Sequence, residues 1–163
     1  MMEERVTEEP QFRKSGGKAE LYSEIIIRAP PERIWEILTD FAAYPAWNPF
    51  IPSIRGELMA GGQITASLRP PGASEMTIRP VLITVDPPRE IRWRGHLFFS
   101  GIFDGEHDFE IHPAGTGRCL FVQREYFSGI LLPLLQRMLR INTARGFAQM
   151  NKALKERAEK PRP

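Results

Sequence analysis

The C-terminal segment constrains the fold most. Residues 132–159 place Leu132, Leu135, Leu139, Thr143, Gly146, Phe147, Met150, Ala153 and Leu154 on one continuous helical stripe, while Arg137, Lys152 and Lys155 fall on the opposite side. Pro133 suits the first turn of such a helix, and Pro161 and Pro163 lie just beyond its end. At about 1.5 Å per residue the helix runs for about 40 Å, and its stripe needs a second layer to bury it. The first half carries a further apolar face, Leu131, Leu134, Met138 and Ile141, near Arg137, Arg140 and Arg145. Two readings of that face stand open: burial under connecting loops, or docking onto a partner protein or an anionic membrane surface.

Strands supply the second layer. Residues 21–28, with Ile25-Ile26-Ile27, read as a buried strand that Pro30-Pro31 stops, and Ile34, Ile37, Leu38 and Phe41 then follow at the spacing of a short amphipathic helix. After the aromatic and proline-rich turn at residues 44–50, strand signals recur at 51–58, 63–69, 76–85 and 90–99, divided by Gly- and Pro-rich turns. The pattern predicts an antiparallel meander closed by the long helix.

Residues 103–111 and 119–127 alternate on either side of a turn-rich stretch, Pro113-Ala114-Gly115-Thr116-Gly117, and read as a hairpin. Pairing Pro113 with Gly117 sets His107 opposite Gln123, Gly105 opposite Glu125, Phe109 opposite Phe121 and Phe103 opposite Phe127, all on one face. Three polar side chains thus sit among four phenylalanines. The other face carries Asp104, Glu106, Asp108, Glu110 and His112, with Glu106 facing Arg124, and reads as a solvated surface. A one-residue slip would bury the acidic row, so the apolar pattern favours these faces. Buried polar groups cost a few kcal/mol unless satisfied, so His107, Gln123 and Glu125 need each other, water or a ligand.

The 163 residues are expected to form a single domain over residues 20–160, preceded by a loose tail at 1–19, which is charged and lacks a sustained apolar period. With 22 Lys and Arg against 20 Asp and Glu, the net charge of +2 gives no sign of a nucleic-acid partner. The single cysteine, Cys119, excludes an internal disulfide and reads as a small core residue. No apolar run reaches the length of a membrane span or follows a signal-peptide pattern, so a cytoplasmic protein without membrane contact is expected, as monomer or homodimer.

These elements carry a family resemblance. Ala29-Pro30-Pro31-Glu32-Arg33-Ile34-Trp35, Tyr44-Pro45-Ala46-Trp47-Asn48-Pro49-Phe50, Arg89-Glu90-Ile91-Arg92-Trp93 and Phe147-Ala148-Gln149-Met150-Asn151-Lys152-Ala153-Leu154 resemble the START-like (SRPBCC) superfamily, in its polyketide cyclase/dehydrase and lipid-transport branch. The resemblance spans about residues 20–158. It implies an α+β helix-grip fold, also called Bet v 1-like, with a curved antiparallel sheet around the terminal helix and short helices after the first strand. It further implies a hydrophobic cavity between sheet and helix, of the kind that holds lipids, sterols, hormones or polyketide intermediates. No shared catalytic motif transfers residue by residue, so the site rests on this sequence.

The expected ligand contacts are Trp93, Phe103, Gly105, His107, Phe109, Phe121, Gln123, Glu125 and Phe127 from the sheet, with Leu139, Thr143, Phe147 and Met150 from the helix. The leading expectation is binding of a small hydrophobic ligand, of lipid, polyketide or aromatic type. The alternative is a cyclase or dehydratase in which Glu125 and His107 act as acid and base, a carboxyl in an apolar setting being raised toward neutrality. Gly105, without a side chain opposite Glu125, would leave room for a ligand atom or water. Gly146, costing about 1 kcal/mol of helix propensity relative to alanine, calls for a space or close-packing reason. A metal at Glu106-His107-Asp108 is not expected, because alternation sends the two carboxylates away from His107. No glycine pattern followed by a helix cradles a phosphate, and no cofactor is implied.

Overall fold

The computed structural model describes residue 6 and residues 8–162. Its main layer is a six-stranded antiparallel sheet built from β1 (Gln11–Ser15), β2 (Lys18–Ile27), β6 (Val81–Asp86), β7 (Glu90–Leu97), β8 (Phe103–Pro113) and β9 (Cys119–Ser128), in the order β1-β2-β9-β8-β7-β6. A smaller sheet, β3-β4-β5, joins Ser53–Arg55, Thr65–Leu68 and Met76–Ile78. Helix α1 (Pro31–Thr39), a 3-10 turn at Phe41–Ala43 and α2 (Tyr44–Trp47) follow β2. The terminal helix comprises α3 (Leu132–Met138), a π-helical turn at Leu139–Thr143, and α4 (Ala144–Glu159). This is the expected α+β helix grip. Phe147, Met150 and Leu154 of α4 are fully buried, in one core with Leu21 and Ile27 of β2 and Cys119 and Phe121 of β9.

Three expectations change. The tail expected at residues 1–19 is ordered from Gln11, where β1 turns at Gly16 into β2; Phe12 packs on the core, and the Arg140 guanidinium lies 5.1 Å from its ring centroid. Residues 1–5 and 7 of that expected tail lie outside the described residues. The strand expected at 76–85 divides, its two parts lying in different sheets on either side of Pro80, which has no N–H for a ladder.

The third change concerns the hairpin. Pro113 pairs with Cys119, not Gly117, so five residues form the loop, with Gly115 and Gly117 at φ 108° and 69°, a backbone region open chiefly to glycine. The shift is even, so faces are kept and partners move. His107 stands opposite Glu125, Phe109 opposite Gln123 and Gly105 opposite Phe127, while Arg124 faces Asp108 on the other side. That outer face is also less solvated than expected, because Asp108 and Val122 are buried.

Candidate functional site

Between the inner face of the sheet, the small sheet and the start of the terminal helix lies a cavity of about 120 Å³. Of the expected contacts, Trp93, Phe103, Gly105, Glu125, Phe127, Leu139 and Thr143 line it. His107, Phe109, Phe121, Gln123, Phe147 and Met150 do not; they are buried beside it in the closed part of the grip. Sequence reasoning missed the wall formed by Leu68, Met76 and Ile78, since a strand's pattern does not say which sheet it joins. It also missed Phe50, Leu135 and Met138. Met138 thereby leaves the second apolar face, of which Leu131 is half-buried and Leu134 and Ile141 are exposed.

The lining is almost wholly apolar, and Glu125 and His96 are its only titratable members among the described residues. Strand alternation brings Glu125 inward beside His107, whose Nδ1 lies 3.3 Å from Oε2, and among the described residues neither a backbone amide nor an arginine pins the carboxylate. Its Oε1 lies 2.7 Å from where a Cβ on Gly105 would be, so the carboxylate itself fills the space expected for a ligand atom or water.

Behind the cavity the polar side chains satisfy one another. His107 Nε2 lies 3.1 Å from Gln123 Oε1, and Gln123 Nε2 donates to Asn151 Oδ1 at 2.8 Å. Asn151 Nδ2 donates to Ser23 Oγ at 2.9 Å, and Ser23 Oγ donates to the backbone carbonyl of Gln123 at 3.3 Å. Asn151 and Ser23, both buried, escaped the sequence reading, although the phase of Asn151, next to Met150 on α4, was available as a signal. The His107 ring packs against Phe109 and Phe147, with centroids 4.4 and 5.1 Å away, and lies 5.3 Å from Trp93. The arrangement holds His107 in place and offers one carboxylate to a greasy cavity.

Residues around the cavity serve packing. Asn48 Oδ1 accepts from the backbone N–H groups of Phe50 and Ile51, and Trp47 packs edge-on against Tyr44 outside the cavity. Burial pushes the Cys119 thiol above its ordinary range, as befits a core residue. The ring of Phe50 lies over Gly146, giving that glycine the close-packing reason. Among the described residues no helix is long and apolar enough to cross a membrane.

Residues 18–159 match the family model described as polyketide cyclase / dehydrase and lipid transport. No curated protein matches the chain significantly. Among solved structures, the ZhuI aromatase/cyclase from Streptomyces sp. R1128 is similar at 19% identity and a TM-score of 0.67, over 87% of this chain and 94% of that one. A START superfamily protein from Mycobacterium smegmatis is similar at 22% identity and the same TM-score of 0.67, over 86% and 97%. The di-domain aromatase/cyclase BexL of the BE-7585A biosynthetic pathway gives 14% identity and a TM-score of 0.71 over 90% of this chain, which spans 52% of the BexL chain. At these identities the structures show the fold alone.

Proposed function

The chain belongs to the polyketide cyclase/dehydrase and lipid-transport family, and on that premise we propose that it binds a small, largely apolar ligand in the cavity between sheet and terminal helix. The observation that carries this reading is the pairing of an apolar wall with one carboxylate, that of Glu125. Ligand sites typically combine such walls with a few polar groups that fix orientation. The volume of about 120 Å³ is close to that of an engineered cavity of about 150 Å³ that takes benzene, and suits a single ring or a short chain.

Calorimetric titration with propylbenzene tests the proposal. Saturable binding that Thr143→Trp abolishes is the expected result, since the indole would fill the cavity; absence of binding by the wild type, or binding unaffected by Thr143→Trp, would refute it.

A second reading, cyclisation or dehydration, draws on the 3.3 Å approach of His107 to Glu125. There only Glu125 would touch the substrate, as acid or base, and His107 would position it from behind, a narrower part than the shared catalysis expected from sequence. Turnover of aromatic ketone or polyketide substrates by the wild type, lost in Glu125→Gln with ligand affinity retained, would favour this reading over binding alone.

A further inference from the structure

With the side-chain amides oriented as they stand, the chain of hydrogen bonds behind the cavity runs in one direction. It ends on the backbone carbonyl of Gln123, which can only accept, so Ser23 Oγ donates there and accepts from Asn151 Nδ2. Asn151 then turns Oδ1 to Gln123 Nε2, and Gln123 turns Oε1 to His107. Facing an acceptor in this orientation, His107 Nε2 carries a hydrogen. That leaves Nδ1 toward Glu125 Oε2 at 3.3 Å. A neutral ring would set its lone pair beside an ionised carboxylate there, inside an apolar enclosure of Trp93, Phe109 and Phe147, where an unfavourable polar contact is costly.

We propose that the His107–Glu125 pair holds one proton beyond a neutral imidazole and an ionised carboxylate, and that it thereby selects uncharged ligands that donate a hydrogen bond, such as phenols and alcohols. The extra proton rests on Nδ1 or on the Glu125 carboxyl, whose Oε2 lies 3.3 Å from that nitrogen. Whether it rests on nitrogen or oxygen, the pair is neutral overall and Oε1 is left as an acceptor. Oε1 lies over Gly105 on the cavity wall and accepts no hydrogen bond from a described residue. A hydroxyl finds its partner there, an ether does not, and a cation meets no net negative charge. His96 is the other titratable residue on the wall, and no Lys, Arg or Asp lines it among the described residues. The proposal rests on the cavity being the ligand site, as argued above.

Two measurements on the full chain test it. In protein labelled with 15N-histidine and 13C-glutamate, assigned with His107→Phe and Glu125→Gln, NMR at pH 7 reads the protons on each partner. The expected spectrum shows Nε2 protonated, with the second proton on Nδ1 or on Glu125. A neutral ring beside an ionised Glu125, or a neutral ring protonated at Nδ1 alone, would overturn the proposal. Calorimetry then compares 4-propylphenol, its methyl ether, 4-propylbenzylamine and propylbenzene. The phenol is expected to bind at least about tenfold more tightly than the ether, and the ammonium more weakly than the phenol. Equal affinity of phenol and ether, or tightest binding of the ammonium, would overturn the ligand class while the cavity reading stands. Failure of all four to bind, propylbenzene included, would instead remove the cavity reading on which that class depends, and the NMR result would still decide the proton.

Discussion

Asp108 illustrates how strand register acts on a single residue. It lies on the outer face directly between Arg92 of β7 and Arg124 of β9, and Arg92 Nη2 donates to its Oδ2 at 3.2 Å. Arg124 is occupied elsewhere, 2.7 Å from Glu110 and donating to the Tyr126 hydroxyl, with its guanidinium 5.3 Å from the Tyr22 ring centroid. Burial, reinforced by Glu110 and Glu90, pushes the Asp108 carboxyl up from its ordinary 3.8 to about 7, against the pull of Arg92. A carboxyl raised on folding binds protons better in the native state, so its stabilising effect is complete below about pH 4 and is lost as pH rises toward 7. Asp108→Asn, which cannot ionise, is therefore expected to match the wild type near pH 4 and to exceed it at pH 8 by on the order of 1–3 kcal/mol. Urea unfolding at the two pH values measures this, and a variant less stable than the wild type at pH 8 would show that the Arg92 ion pair outweighs the desolvation.

At the level of elements, the terminal helix is where local preference and packing conflict. Helix propensity alone makes Gly146→Ala stabilising by about 1 kcal/mol. A Cβ there would lie 2.3 Å from Phe50 Cδ2 and 2.7 Å from Cε2, and Phe50 is itself buried and stacked edge-on against Phe147. A ring held that way cannot yield freely, so the substitution is expected to destabilise by roughly 1–3 kcal/mol in spite of propensity. Thermal unfolding decides the sign, and a raised Tm would mean that Phe50 moves aside without loss. The sequence exposed the stripe that Gly146 belongs to because a 3.6-residue period survives in the text. It exposed the inward face of the β8–β9 hairpin for the same reason, by its period of two. The partner across that face was not legible, because two left-handed glycines lengthen the loop by an even number of residues, which alters pairing without altering alternation. The role of Asn151 is not legible in the sequence, because it depends on Ser23 and Gln123, which come from strands far away in the chain.

Across the whole molecule, the cavity is bounded by parts of differing firmness. The six-stranded sheet and α4 share one core, which Ile54 and Ala66 of the small sheet also enter, whereas the outer wall of the cavity is made by the half-buried Leu68, Met76 and Ile78 of that small sheet. A hydrogen bond ties its β4–β5 turn to the terminal helix: Asn142, in the π-helical turn, donates from Nδ2 to the Pro71 carbonyl at 2.7 Å. A longer ligand must push this wall outward, since Trp93 and Phe127 on the other side are buried in the main sheet. Affinity for a series of alkylbenzenes is therefore expected to rise by about fourfold per methylene, the equivalent of about 0.8 kcal/mol, until the cavity is filled, and then to level off. Asn142→Ala frees the turn, lowers the cost of moving the wall, and should carry the rise to longer chains while leaving benzene and toluene unaffected. Calorimetry on both proteins provides the comparison. Identical break points would place the yielding element elsewhere, and a uniform loss of affinity across the series would mean that Asn142 holds the cavity's shape even for its smallest guests.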